Sequence, residues 1–204
     1  MNEPIRLRLA AEHQALRAAT APLSPFALDH RFDGDPPTAH RFALQPFGWR
    51  VRRGDEAVAA YDPRQHGPAE LVLVADPTVY PWQPWQATVL LAPGLQVVSP
   101  HVSGTPGAAG LCCWFQGPEF DPAAHPALAV LTQVLRILAG EVYELEGFAL
   151  AEDMKVWFAA HRDELPFARV PEFGADRAPA AAPRGAGAIP RSALGIVFST
   201  EAQR

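Results

Sequence analysis

The chain has 204 residues, 49% of them hydrophobic, and its 17 Lys and Arg against 22 Asp and Glu give a formal net charge of −5. That length suits one domain with a sizeable core, and the acidic balance argues against a general nucleic-acid binder, which carries a basic surplus. The opening MNEPIRLRLAAEHQ lacks the continuous apolar stretch of a secretory signal, and no run approaches the roughly 20 apolar residues that span a bilayer, so the expectation is a cytoplasmic protein with reduced thiols and no membrane partner.

In chain order, residues 5–19, IRLRLAAEHQALRAA, read as a helix with Leu9 and Leu16 on one face, and Pro22 and Pro25 stop it. From Phe26 to Leu91 short apolar runs alternate with Gly, Pro and Asp. HRFALQPFGWRV, AVAAY, AELVLVA and ATVLLA predict four strands of an antiparallel meander, with no long helix between them to support a parallel plan. The stretch RRGDEAVAAYDPRQHGP reads as an exposed hairpin. After Pro93 the chain turns irregular through about Pro122, and a loop of that length in a compact domain tends to be functional.

Helical texture returns at Pro126. Leu128, Leu131, Leu135 and Leu138 recur at spacings of three and four, and Gly140 ends the run. A further helix is predicted over 150–164, where Met154, Trp157, Phe158 and His161 form a stripe best read as core packing. Residues 171–190, PEFGADRAPAAAPRGAGAIP, hold too little to bury and predict a flexible tail, and 171–204 ends with the short apolar segment Ile196-Val197-Phe198. The expected fold class is therefore α+β, with one domain over residues 1–170.

The long loop carries the only two cysteines, Cys112 and Cys113. They are adjacent, and a bridge between neighbours strains the intervening peptide, so they make no disulfide framework. Adjacent cysteines also rarely supply two ligands to one tetrahedral ion, and no Cys-x-x-Cys is present, so no metal is expected. A small buried hydrophobe is the plain structural reading of a free cysteine. Side chains of neighbours in an extended segment point to opposite sides, and the structural reading is the favoured one for Cys113.

Three motifs in order resemble those of the ubiquitin-conjugating enzymes. VYPWQP, residues 79–84, resembles the Tyr-Pro-x-x-Pro segment after that fold's third strand. SPHV, residues 99–102, stands at the place of His-Pro-Asn-Val, and GLCC, residues 110–113, looks like the Gly-Ile/Val-Cys-Leu segment of the catalytic cysteine. FDP, residues 120–122, stands for the Trp-x-Pro before the next helix. The resemblance covers about residues 5–165 and implies a UBC-like fold: an N-terminal helix, a four-stranded antiparallel meander, a long active-site loop and two C-terminal helices.

The same resemblance implies an enzyme in which Cys112 carries a ubiquitin-like protein as a thioester, received from a ubiquitin-activating-like enzyme and passed to a protein amine without a cofactor. The chemistry asks for an exposed thiol that ionises near neutral pH, and a free cysteine at a pKa of about 8.5 supplies a few per cent thiolate. His101 replaces the family's asparagine. Its N–H can donate to an oxyanion and its ring can act as a base, while a structural histidine bonded to backbone is the equal alternative. Glu119 and Asp121 are candidates to orient the incoming amine, with a solvated loop as the plainer reading. His125 is a gate or a helix-start residue. Cys113 completes the loop candidates.

The Ala-, Pro- and Arg-rich composition looks bacterial, and the resemblance implies a bacterial ubiquitin-like conjugation system, some of which are antiphage. An inactive variant of the fold that binds a ubiquitin-like protein or scaffolds a complex is the alternative. A cysteine hydrolase pairing Cys112 with His101 or His125 would need its cysteine at a helix start, which the order of elements does not offer.

Overall fold

Asn2 starts the first helix, α1 (Glu3–Ala19): its side-chain oxygen accepts the Ile5 N–H at 3.1 Å, and Pro4 occupies the first turn, where its missing donor costs nothing. In this computed structural model the described residues are 1–20, 27–44, 48–103, 110–114, 121, 123, 125–143 and 149–170. The predicted tail over 171–204, with its Ile196-Val197-Phe198 segment, and Glu119 lie outside the described residues.

The fold is mixed, with an N-terminal helix, antiparallel sheets and further helices. Five strands form the main sheet in the order β1 (Ala27–Gly34), β2 (Pro37–Leu44), β5 (Ala69–Val74), β6 (Gln86–Leu90) and β8 (Gly110–Cys112), each antiparallel to its neighbour. A smaller sheet sets β3 (Arg50–Arg53) between β4 (Ala59–Ala60) and β7 (Leu95–Val97). One short helix, α2 (Pro63–His66), follows β4, and α3 (Ala127–Leu138) and α4 (Glu152–Ala160) follow the sheets, with a 3₁₀ turn at Arg162–Glu164.

These bounds refine the sequence reading. The single strand predicted over HRFALQPFGWRV divides: β2 ends at Leu44 in the main sheet and β3 begins at Arg50 in the smaller one. β1 lies outside the sequence expectation, because ALDHRFDG sets the polar run Asp29-His30-Arg31 at its centre and lies at the sheet edge. β7 and β8, at three residues each, are too short to show a period. The exposed hairpin is present in part, as β3 paired with β4 through Arg50↔Ala60 and Val51↔Ala59.

Leu9 and Leu16 of α1 are fully buried, and the helix packs on α3 and on β2. α3 turns Val130, Leu131, Val134, Leu135 and Leu138 into the same core. Its N-terminus has no local side-chain cap, since Pro126 precedes it. α4 builds a second, smaller cluster in which Met154 and Phe158 pack with Val98 and Ala151, as the stripe predicted. Trp157 and His161 of the stripe stack on each other at 4.0 Å instead of entering that cluster's centre.

Candidate functional site

The register of the main sheet decides where Cys112 points. Phe32, His40, Leu73, Ala87 and Cys112 stand opposite one another across successive strands. Directly opposed residues share a face, and His40, Leu73 and Ala87 are buried in the core. Cys112 therefore faces inward and is 4% exposed. Burial pushes its thiol well above the ordinary cysteine range, and the neighbouring Cys113 adds to the shift. Cys113, one residue on, is half-buried. The alternation expected along the segment is present, but the sequence reading needs Cys112 to be the exposed thiol, and the structure turns that residue into the core.

The SPHV segment lies against the cysteines. Ser99 to Val102 is a tight turn: the Val102 N–H donates to the Ser99 carbonyl and the His101 N–H to Ser99 Oγ, both at 3.3 Å. Val102 then bridges to Cys112 on the side away from β6, and the Cys113 N–H donates to the His101 carbonyl at 2.8 Å. The His101 side chain is itself buried. Gly110 explains itself in this setting, because a Cβ there would stand 2.8 Å from Val102 Cγ1, closer than carbon atoms approach.

The remaining candidates fall nearby or outside. Trp114 donates its indole N–H to the Trp85 carbonyl at 2.7 Å, and the His125 ring lies 5.6 Å from it. Asp121 is exposed, accepts the Ala123 N–H at 2.8 Å in its own turn, and offers its carbonyl to His125 Nδ1 at 2.8 Å. The structure thus gathers Cys112, Cys113 and His101, puts His125 beside Trp114, and ties Asp121 to His125. Cys112 ends a strand, not a helix start, so the hydrolase arrangement has no counterpart here.

Two buried polar clusters escaped the sequence reading. Glu12 of α1 is 7% exposed, and its carboxylate accepts from Arg8 Nε at 2.8 Å, from the Tyr80 hydroxyl, and from Trp85 Nε1 and the Ala127 N–H at 2.9 Å each. Burial beside that carboxylate pushes the Tyr80 hydroxyl far above its ordinary range. The Arg8–Glu12 spacing of four was legible as a helix pair; nothing local marked it as buried.

The second cluster is His13, His30 and His40. His30 Nε2 and His40 Nδ1 are 3.0 Å apart, and His30 Nδ1 is 3.1 Å from Thr20 Oγ1. The His13 and His40 rings stack at 5.5 Å. Burial holds His30 down at about 4 and His40 at about 3, with His13 lowered as well. Their separation in the sequence hides the meeting that the hairpin and α1 create. No group of three or more His, Cys, Asp or Glu among the described residues could hold a metal ion, and no described helix is long and apolar enough to cross a membrane.

A comparison of the chain with protein-family models, with curated proteins and with solved structures finds no match.

Proposed function

We propose that the chain is a ubiquitin-conjugating-like transferase with a UBC-like fold that carries a ubiquitin-like protein on Cys112. The observation that carries this reading is the adjacency of two of the resembling motifs: the SPHV turn lies directly against the GLCC strand, through the Val102–Cys112 bridge and the Cys113–His101 bond. In the first step the Cys112 thiolate attacks the thioester carbonyl of the modifier held by an activating enzyme. A new S–C bond forms, and the activating enzyme's thiolate leaves. In the second step an amine attacks, the C–N bond forms, the S–C bond breaks and Cys112 leaves as thiolate. The surplus amine proton goes to water or to His101, whose ring N–H alternatively donates to the oxyanion between the two steps. The partners are a ubiquitin-like protein, its activating enzyme and a protein with an acceptor amine, in a bacterial conjugation system of the kind that includes antiphage ones, read from the resemblance alone.

The burial of Cys112 favours a second reading: an inactive relative of the fold that binds a ubiquitin-like protein or scaffolds a complex. A thiol held as the neutral form in the core is a poor nucleophile until the segment opens. Charging with activating enzyme, modifier and ATP, read on non-reducing gels, separates the two. The transferase gives a thiol-sensitive adduct that Cys112→Ala abolishes and Cys113→Ala keeps. The reverse pattern makes Cys113 the carrier. Retained modifier binding with no adduct leaves the inactive reading standing.

A further inference from the structure

We propose that Glu12 is a positioning residue that latches the cysteine strand closed, acting through Trp85 and Trp114. The inference rests on the reading that Cys112 is the working thiol, since only then does its exposure have a use. Cys112 must leave its inward position to meet any macromolecular partner. Among the contacts of the described residues, four resist that: the pairing with Ala87, the Val102 bridge, the Cys113 bond to His101 and the Trp114 bond to Trp85.

Among these four, the Trp114–Trp85 contact is made by a side chain. The Trp114 indole donates to the Trp85 carbonyl at 2.7 Å, and the Trp85 indole donates to Glu12 Oε2 at 2.9 Å. Both tryptophans are buried. The same carboxylate oxygen accepts the first N–H of α3, while Oε1 accepts from Tyr80 and Arg8. One carboxylate thus fixes α1, the residue 80–85 segment and the start of α3 relative to one another, and the placement of Trp85 that results sets the acceptor to which the cysteine strand is tied. Loosening either link in this relay weakens the hold on the strand end without touching its backbone pairing.

The test is the alkylation rate of Cys112 by iodoacetamide, followed by intact mass in a full-length Cys113→Ser background, well below the melting temperature. Trp114→Phe keeps an aromatic ring and deletes the donor. It is expected to label about fivefold faster or more, the population shift that one lost hydrogen bond supports. Trp85→Phe, which leaves its own carbonyl in place and cuts the link to Glu12, and Glu12→Gln are expected to label faster as well. Met154→Ala, which opens a cavity in the α4 cluster, lowers global stability without touching Glu12, Trp85 or Trp114 and is expected to label more slowly than Trp114→Phe. Parent-rate labelling of Trp114→Phe overturns the latch, and so does Met154→Ala labelling as fast as Trp114→Phe at equal or lower loss of melting temperature. Faster labelling in Trp114→Phe with parent rates in Trp85→Phe removes Glu12 from the relay; should Glu12→Gln fail to fold, Trp85→Phe decides alone. Labelling needs no modifier, so a failed charging assay removes the transferase reading and leaves this result intact.

Discussion

At the scale of single residues, the cysteine strand is governed by close approach. Val102 crowds Gly110, where an added methyl would meet Val102 Cγ1 at 2.8 Å. Gly110→Ala is expected to destabilise the protein by about 1–3 kcal/mol, the usual cost of an overpacked site; a melting temperature equal to that of the parent would show that Val102 moves aside freely. His101 carries two roles at one position. Its backbone carbonyl holds Cys113 and its ring is buried, so His101→Ala loses packing as well as a donor. If the ring N–H also steadies the oxyanion, His101→Ala slows discharge to an amine about a hundredfold once charged protein is compared with charged protein. His101→Asn then recovers part of that rate, since an amide donates the same bond. Equal discharge by the parent and His101→Ala leaves the residue with packing alone. Of the two roles the sequence left level for His101, burial adds weight to the structural one.

At the scale of elements, α1 is seated on the β1–β2 hairpin by neutral histidines. Burial holds His30 at about 4, with His13 and then Arg17 lowering it further and Asp29 working against them, and burial holds His40 at about 3, with His30 and then His13 adding to the shift. A histidine whose folded pKa lies below its unfolded value of about 6.5 contributes stability that is full above that value and falls away as pH drops towards the folded pKa. For one histidine kept neutral at pH 5, the loss is about 2 kcal/mol. The melting temperature is therefore expected to fall steeply between pH 6.5 and pH 4. His40→Phe, which keeps a ring beside Phe42 and Trp85, flattens that slope. An unchanged slope in the variant would place the acid sensitivity elsewhere. α3 shows the same dependence on distant chain: with Pro126 before it and no acidic residue in its first turn, its N-terminus is capped by Glu12, 115 residues earlier.

At the scale of the whole molecule, the chain after α4 closes back on the core. Phe167 N–H donates to the Ala139 carbonyl at 3.0 Å, Val170 N–H donates to Glu141 Oε1 at 2.7 Å, and Arg50 lies over the Phe167 ring at 4.8 Å. Gly140, at φ +70°, admits this return, since a Cβ there would meet Leu165 Cδ2 at 2.9 Å. A chain ending at residue 170 is expected to melt within a few degrees of the full chain. One ending at residue 164 loses Leu165, Phe167 and Val170 and is expected to be less stable by roughly 2–4 kcal/mol in thermal or urea unfolding. Equal stability of the two truncations would mean that this return contributes nothing.

The sequence by itself determined α1, α3 and α4, the strands β5 and β6 and the meeting of chemistry-bearing residues in one segment. Each of these is local: Leu9 and Leu16 repeat at helical spacing, AELVLVA and ATVLLA bury alternate residues, and GLCC is contiguous. Only the tertiary structure decided that Cys112 points inward, because its side is set by the register of β8 on β6, and a slip of one residue would have turned Cys113 in instead. The same holds for Glu12 and for the three histidines. A helical Arg8–Glu12 pair looks the same in sequence whether it faces water or the core. Which one it faces depends on Tyr80, Trp85 and Ala127, donors that no window around Glu12 contains and that folding alone delivers to it.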